Sequence, residues 1–223
     1  GDGIGEVSAL LRMPLVADSL FVFAHGAGAG MRHTFMEAIA DRLFERRVAT
    51  LRYQFPYMEK GGKRPDPPGV NVATVRAACR SAAGLAAEHA PGVPLVAGGK
   101  SMGGRMTSLA AVDGGLPGVR GLAFLGFPLH PAGRPSTDRA LHLPRVEVPM
   151  LFLQGTRDAL ADLTLLTPVC DALGSRVRLH VVDGADHSFH MKRSSGRTDG
   201  EVLDGLADQI AAWAGDLPGH ASP

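Results

Sequence analysis

Leu95-Val96-Ala97-Gly98-Gly99-Lys100-Ser101-Met102-Gly103-Gly104 decides how this chain is read. A short apolar run ends in Gly-x-Ser-x-Gly, and a helix-compatible segment, Met102 to Val112, follows at once. A serine on so tight a strand-to-helix turn is held in a strained backbone with its hydroxyl pointing out of the fold. Gly99 and Gly103 are required because a Cβ at either place would collide with the turn. The helix opening at Met102 aims its free N–H groups and positive dipole end at negative charge developing beside Ser101. In a chain with 29 glycines the five-residue pattern is weak by itself. Its setting between strand and helix gives it weight.

Outward from that turn, apolar strand-like runs alternate with helix-periodic segments. Gly5–Leu11 reads as a first, edge strand, Ser19–Ala24 as a buried strand ending at His25-Gly26-Ala27-Gly28, and Val48–Tyr53 as another. Between the last two, Thr34–Arg46 is amphipathic, with Phe35, Ile39, Leu43 and Phe44 on one face. Ala73–His89 is an alanine-rich helix leading into the Leu95–Gly98 strand. Gly121–Gly126, Met150–Gly155 and Arg176–Val182 supply three more strands, and Leu163–Leu173 and Asp199–Trp213 the flanking helices. This alternation predicts an α/β fold: a mostly parallel sheet with helices on both faces. Residues 1–217 read as a single domain without a separate cap, and 218–223 as a disordered tail. One stretch breaks the rhythm. Gln54–Gly69 is long, aromatic at its start and rich in Lys, Gly and Pro beyond. Leaving the carboxyl end of a strand, it is expected to form a small lid, with Phe55 and Tyr57 over the site.

Composition narrows the function. Of 223 residues, 45% are apolar and 20% charged, with a formal net charge of +1. No basic stripe interleaved with aromatics is present, so nucleic acid is a poor partner. The longest apolar runs are strand-sized, so no membrane span is expected. No secretory signal pattern opens the chain, and Cys79 and Cys170 both fall in helical segments. They read as small core residues in a reducing compartment, which places the protein in the cytoplasm. His, Cys and carboxylate residues do not cluster at metal-ligand spacing, so neither a metal nor another cofactor is expected.

Ser101 needs a base, and the base an orienting acid. In open parallel sheets chemistry gathers at the carboxyl ends of strands. Asp158 follows the strand Met150–Gly155, and His187 follows Arg176–Val182. Asp162 competes with Asp158 but sits where it would cap the next helix. His190 competes with His187 but lies farther from the strand end, and Ser188 reads as a capping residue. Asp186 is expected to bond local backbone. A Ser–Lys pair in Lys100-Ser101 is disfavoured because neighbours on such a turn point apart. In His25-Gly26-Ala27-Gly28-Ala29-Gly30, glycines let the backbone bend after a strand. The N–H groups of Ala27 and Met102 would make a two-donor oxyanion hole, each donor typically worth about 3 kcal/mol in the transition state. The segment lacks a phosphate loop's Gly-Lys-Ser/Thr ending and the dinucleotide Gly-x-Gly-x-x-Gly. His25 reads as a brace for this loop.

These phrases, with Phe127-Pro128-Leu129-His130 and Asp186-His187-Ser188-Phe189, resemble the α/β-hydrolase superfamily across essentially the whole chain. Within it the chain is similar to the small dienelactone-hydrolase-like group. That group includes the KANL/Tex-type hydrolase-like domains of testis-expressed and histone-acetyltransferase-complex proteins. True dienelactone hydrolases use a cysteine where this chain has Ser101, so the resemblance implies a fold more than a substrate. It implies a serine hydrolase cleaving a small acyl ester or thioester through Ser101, His187 and Asp158, with an acyl-enzyme intermediate. Phe55, Tyr57, Met58, Phe127 and Leu129 are the expected pocket walls. A peptidase or amidase on the same residues, and an interaction module that keeps the fold, remain open alternatives.

Overall fold

The computed structural model describes residues 5–217, so the tail expected at 218–223 lies outside the described residues. Those residues build a seven-stranded sheet in the order β1-β3-β2-β4-β5-β6-β7. The strands are β1 (Ala9–Arg12), β2 (Ser19–Ala24), β3 (Val48–Tyr53), β4 (Leu95–Lys100), β5 (Val119–Leu125), β6 (Met150–Gly155) and β7 (Val177–Val182). All pairs are parallel except β1 with β3. β2, β3, β4 and β6 are buried along nearly their whole length, which is why they read as continuous apolar runs instead of alternating ones.

The helices are α1 (Thr34–Glu45), α2 (Pro56–Glu59), α3 (Pro68–His89), α4 (Met102–Ala110), α5 (Leu163–Leu173) and α6 (Asp199–Gly215). They cover both faces and define two cores. Val22, Ala97, Phe124 and Phe152 point toward Val75, Ala82, Met106 and Leu166 of α3, α4 and α5. Their strand neighbours Phe21, Phe23, Val96, Leu125 and Leu153 pack on Ile39, Leu43, Leu206 and Trp213 of α1 and α6. Registers align the strand ends: Ala24 pairs with both Tyr53 and Gly99, Lys100 with Leu125, and Gly155 with Val182. The loops after β2, β4, β6 and β7 therefore leave the same edge of the sheet, and no cap domain covers them among the described residues. No described helix is long and apolar enough to cross a membrane.

Several expectations are corrected. The first strand is short and begins at Ala9. α1 buries Met36, Ile39, Ala40 and Leu43. Phe44 lies instead beneath the Arg12 guanidinium, 4.7 Å from its ring centroid. α3 begins at Pro68, five residues earlier than expected, because a proline at the first helical position lacks only an N–H that would go unpaired there. The segment from Gln54 is no lid. Phe55 and Tyr57 are buried in the core, Phe55 against Tyr53 with ring centroids 5.5 Å apart. Cys79 and Cys170 are free, and burial pushes both thiols up to about 12.

Candidate active site

Ser101 takes φ +50° and ψ −116° between β4 and α4, a region most side chains avoid. Its N–H donates to the Leu125 carbonyl at 3.1 Å, and its carbonyl accepts from Arg105 at 3.1 Å, so both flanks of the turn are pinned. A Cβ on Gly99 would come within 2.4 Å of the Ala24 carbonyl oxygen. One on Gly103 would lie 2.6 Å from the carbonyl oxygens of both Ala24 and His25. The two glycines thus let the end of β2 lie directly against the elbow.

Loops after β6 and β7 bring the partners. His187 Nε2 is 2.8 Å from Ser101 Oγ, and Nδ1 is 2.7 Å from Asp158 Oδ2. With the proton on Nδ1, the ring donates to Asp158 and accepts from the Ser101 hydroxyl. The Asp158 side chain is 0% exposed and that of His187 25%, so the carboxylate is enclosed and the imidazole borders the cavity. Asp158 Oδ1 accepts from the Leu160 N–H at 2.8 Å, and Oδ2 also accepts from the Gln154 side-chain amide. Gln154, a wholly buried amide four residues upstream in β6, is a functional neighbour that sequence reading missed. A lone amide in the run Met150-Leu151-Phe152-Leu153-Gln154 was the available signal.

The competing residues separate cleanly. Asp162 caps α5, its carboxylate accepting from the Thr164 N–H at 2.8 Å. Asp186 accepts from the Ser188 and His190 N–H groups, shaping the His187 loop from within. Ser188 is not a helix cap: α6 starts eleven residues later, with Thr198 and Glu201 forming a capping box. His190 pairs with Asp199 at 2.7 Å, whereas His187 is the histidine hydrogen-bonded to Ser101.

Gly26 lies beside the elbow, where a Cβ would be 3.7 Å from Ser101 Cβ. Among the described residues the Ala27 N–H has no hydrogen-bond partner, and Met102, first in α4, has no acceptor within its own helix. Ala27 lines the same cavity as Ser101, and Met102 follows Ser101 directly in the chain. The loop is braced from below. His25 Nδ1 donates to the Gly26 carbonyl at 2.7 Å, and Nε2 accepts from the Phe55 N–H at 3.1 Å. Burial lowers the His25 pKa to about 4, so the ring stays neutral and keeps both bonds. Tyr57 Oη accepts from the Gly28 N–H at 3.0 Å.

A cavity of about 650 Å³ opens at Ser101 and His187. Ala27, Phe35, Ala38, Leu160, Phe189 and Leu203 form much of its wall, and His33, Lys100, His190 and Asp199 contribute polar groups. The expected walls Phe55, Tyr57, Met58, Phe127 and Leu129 do not line it. Four of them are buried in the core on the opposite face of the sheet, and half-buried Met58 packs against it. Beyond Phe127 and Leu129, His130 Nε2 accepts from the Asp162 N–H, and the His130 N–H donates to the Leu160 carbonyl. That loop therefore buttresses the Asp158 loop. Among the described residues no three His, Cys, Asp or Glu side chains gather closely enough to hold a metal ion.

Residues 17–215 match the family model described as the alpha/beta hydrolase domain. The chain belongs to the α/β-hydrolase family. Solved structures agree on the fold. A dienelactone hydrolase from Anabaena variabilis superposes with a TM-score of 0.73 at 20% identity, over 97% of this chain and 94% of that one. An alpha-beta serine hydrolase homologue from Coxiella burnetii gives 0.72 at 20% identity, over 93% of each chain. A serine hydrolase from Xanthomonas campestris, described as being without a lid, gives 0.68 at 18% identity, over 99% of this chain and 93% of that one. Among its described residues this α/β hydrolase has no separate cap over the site.

Proposed function

We propose that this α/β hydrolase is a serine esterase that cleaves small acyl esters or thioesters. The observation that carries the reading is the hydrogen-bonded chain from Ser101 Oγ through the His187 ring to Asp158. The hydroxyl at its end sits on a strained turn facing the cavity. Ser101 Oγ attacks the acyl carbon while His187 Nε2 takes its proton, and Asp158 steadies the imidazolium through Nδ1. The N–H groups of Ala27 and Met102 receive the oxyanion. His187 returns the proton to the departing alcohol or thiol, leaving an acyl-serine. Water then attacks the acyl carbon, giving its proton to His187, and the ester bond to Ser101 breaks as His187 returns that proton to Ser101 Oγ, releasing the acid.

The apolar wall formed by Phe35, Ala38, Leu160, Phe189 and Leu203 suits the acyl group of such a substrate. A fluorophosphonate probe should label wild type at Ser101 and leave Ser101→Ala unlabelled. Across p-nitrophenyl esters, acyl thioesters and p-nitroanilides, turnover of the first two with anilides at least about a hundredfold slower is expected. Equal labelling of wild type and Ser101→Ala would overturn the nucleophile. Faster anilide than ester turnover would overturn the substrate class.

A further inference from the structure

Lys100 stands directly before Ser101, yet its side chain leaves in another direction. It crosses to the loop after β7, where Nζ donates to the His187 main-chain carbonyl at 2.6 Å. The stem passes the β2 loop, since a Cβ on Gly26 would lie 3.6 Å from Lys100 Cγ. Nζ ends 5.8 Å and 5.5 Å from the ring centroids of Phe35 and Phe189. On its other side is Gly126, at φ +67°, where a Cβ would lie 3.0 Å from Nζ and 3.4 Å from His187 Nδ1. Ammonium and imidazole therefore share one small space that only glycine leaves open.

A cation among rings loses hydration, and among the described residues no carboxylate lies within ion-pair distance of Nζ to offset the loss. Burial brings the Lys100 pKa down to about 8, against the opposing pull of Asp158 and Asp186. The side chain thus remains charged at neutral pH, beside the ring that has to change its protonation.

We propose that Lys100 is a positioning residue for His187. It ties the main chain carrying the imidazole to the elbow carrying Ser101, and its positive charge opposes protonation of the ring before attack. The proposal rests on the esterase reading above. The charges around His187 are divided. Asp158, from the loop after β6, favours the imidazolium, as does Asp186 in the same loop as the ring. Lys100, from β4, opposes it. His190, next along, is engaged by Asp199 of α6, and His33, before α1, borders the same cavity.

The test compares pH profiles of kcat and kcat/KM for wild type, Lys100→Met, Lys100→Gln and Lys100→Arg, with thermal melts of each. Lys100→Met should lose about tenfold or more in kcat, keep KM within about twofold, and move the acid limb upward by about half a pH unit or more. Lys100→Gln retains a donor without the charge. It should recover part of kcat yet keep the displaced limb, whereas Lys100→Arg should return the limb toward wild type. If Lys100→Met does not fold, the Gln and Arg variants carry the comparison of charge. An acid limb that stays in place in the neutral variants, or a loss confined to KM, overturns the proposal. If Ser101→Ala keeps its activity, the esterase reading fails instead. If Ser101→Ala is inactive while the neutral Lys100 variants match wild type, only the role of Lys100 falls.

Discussion

Ser101 owes its position to the two glycines that flank it in the elbow. A methyl group on Gly103 would press on the Ala24 and His25 carbonyl oxygens and push the β2 loop away from the elbow. Gly103→Ala should therefore lower stability by about 1–3 kcal/mol, as overpacking does, and cost activity beyond the unfolded fraction, checked by urea melts beside fluorophosphonate labelling rates. The histidines offer a sharper comparison. His187 contacts both Ser101 and Asp158, whereas His190 contacts Asp199, a pairing exposed on both sides. Alanine at His187 should cost roughly a thousandfold or more in kcat, and alanine at His190 less than about tenfold. A crippled His190 variant beside an active His187 variant would reverse the assignment of the base. Asp158→Asn should preserve the fold and lower kcat by up to about ten-thousandfold, because an amide can hold the ring in the wrong tautomer.

At the level of elements, the Gln54–Gly69 segment works as a brace. α2 places Tyr57 Oη under Gly28, and the Phe55 N–H under His25, so both hold the glycine loop from the core side. Phe55→Ala should cost about 3–5 kcal/mol of stability, read from denaturant melts, while ester chain-length preference stays as in wild type. Chain-length preference should respond to α6 instead. Leu203→Trp fills the cavity and should favour acetyl over hexanoyl esters in kcat/KM by about tenfold or more. Strands were legible because a central parallel strand such as Phe21-Val22-Phe23 must be apolar on both faces. The placing of Ser101 and Asp158 was legible because each follows such a strand, and that of His187 because it follows the edge strand β7. The side that Phe55 and Tyr57 face was not, since an aromatic pair just past a strand end fits equally over a cavity or under a loop. The start of α3 was hidden because Pro67-Pro68-Gly69 suits a turn as well as a helix N-terminus. That Lys100 points away from Ser101 follows from the turn, but its partner was not legible, because His187 lies 87 residues away.

Across the whole molecule, two histidines give the fold a dependence on pH. Burial holds His25, and burial with the neighbouring Arg105 and Arg145 charges holds His142, at a pKa of about 4, below the unfolded value near 6.5. Between those values the unfolded chain binds more protons than the folded one, so stability falls as pH falls. The contribution is complete above about pH 6.5 and lost on approach to pH 4, on the order of 3 kcal/mol for fully buried His25. Urea midpoints should drop over that range, and the drop should be shallower in His25→Gln. A slope unchanged by that substitution would remove His25 as its source. The two cores also divide between them what surrounds Ser101. Phe55, Tyr57, Phe127 and Leu129, which support the loops, belong to one core. Met36 and Phe189, with Phe35 and Leu203 packed on them, belong to the other and meet the cavity. The cavity wall can therefore be reshaped through α1, α6 and the loop carrying Phe189 while the core beneath the serine's supporting loops stays as it is.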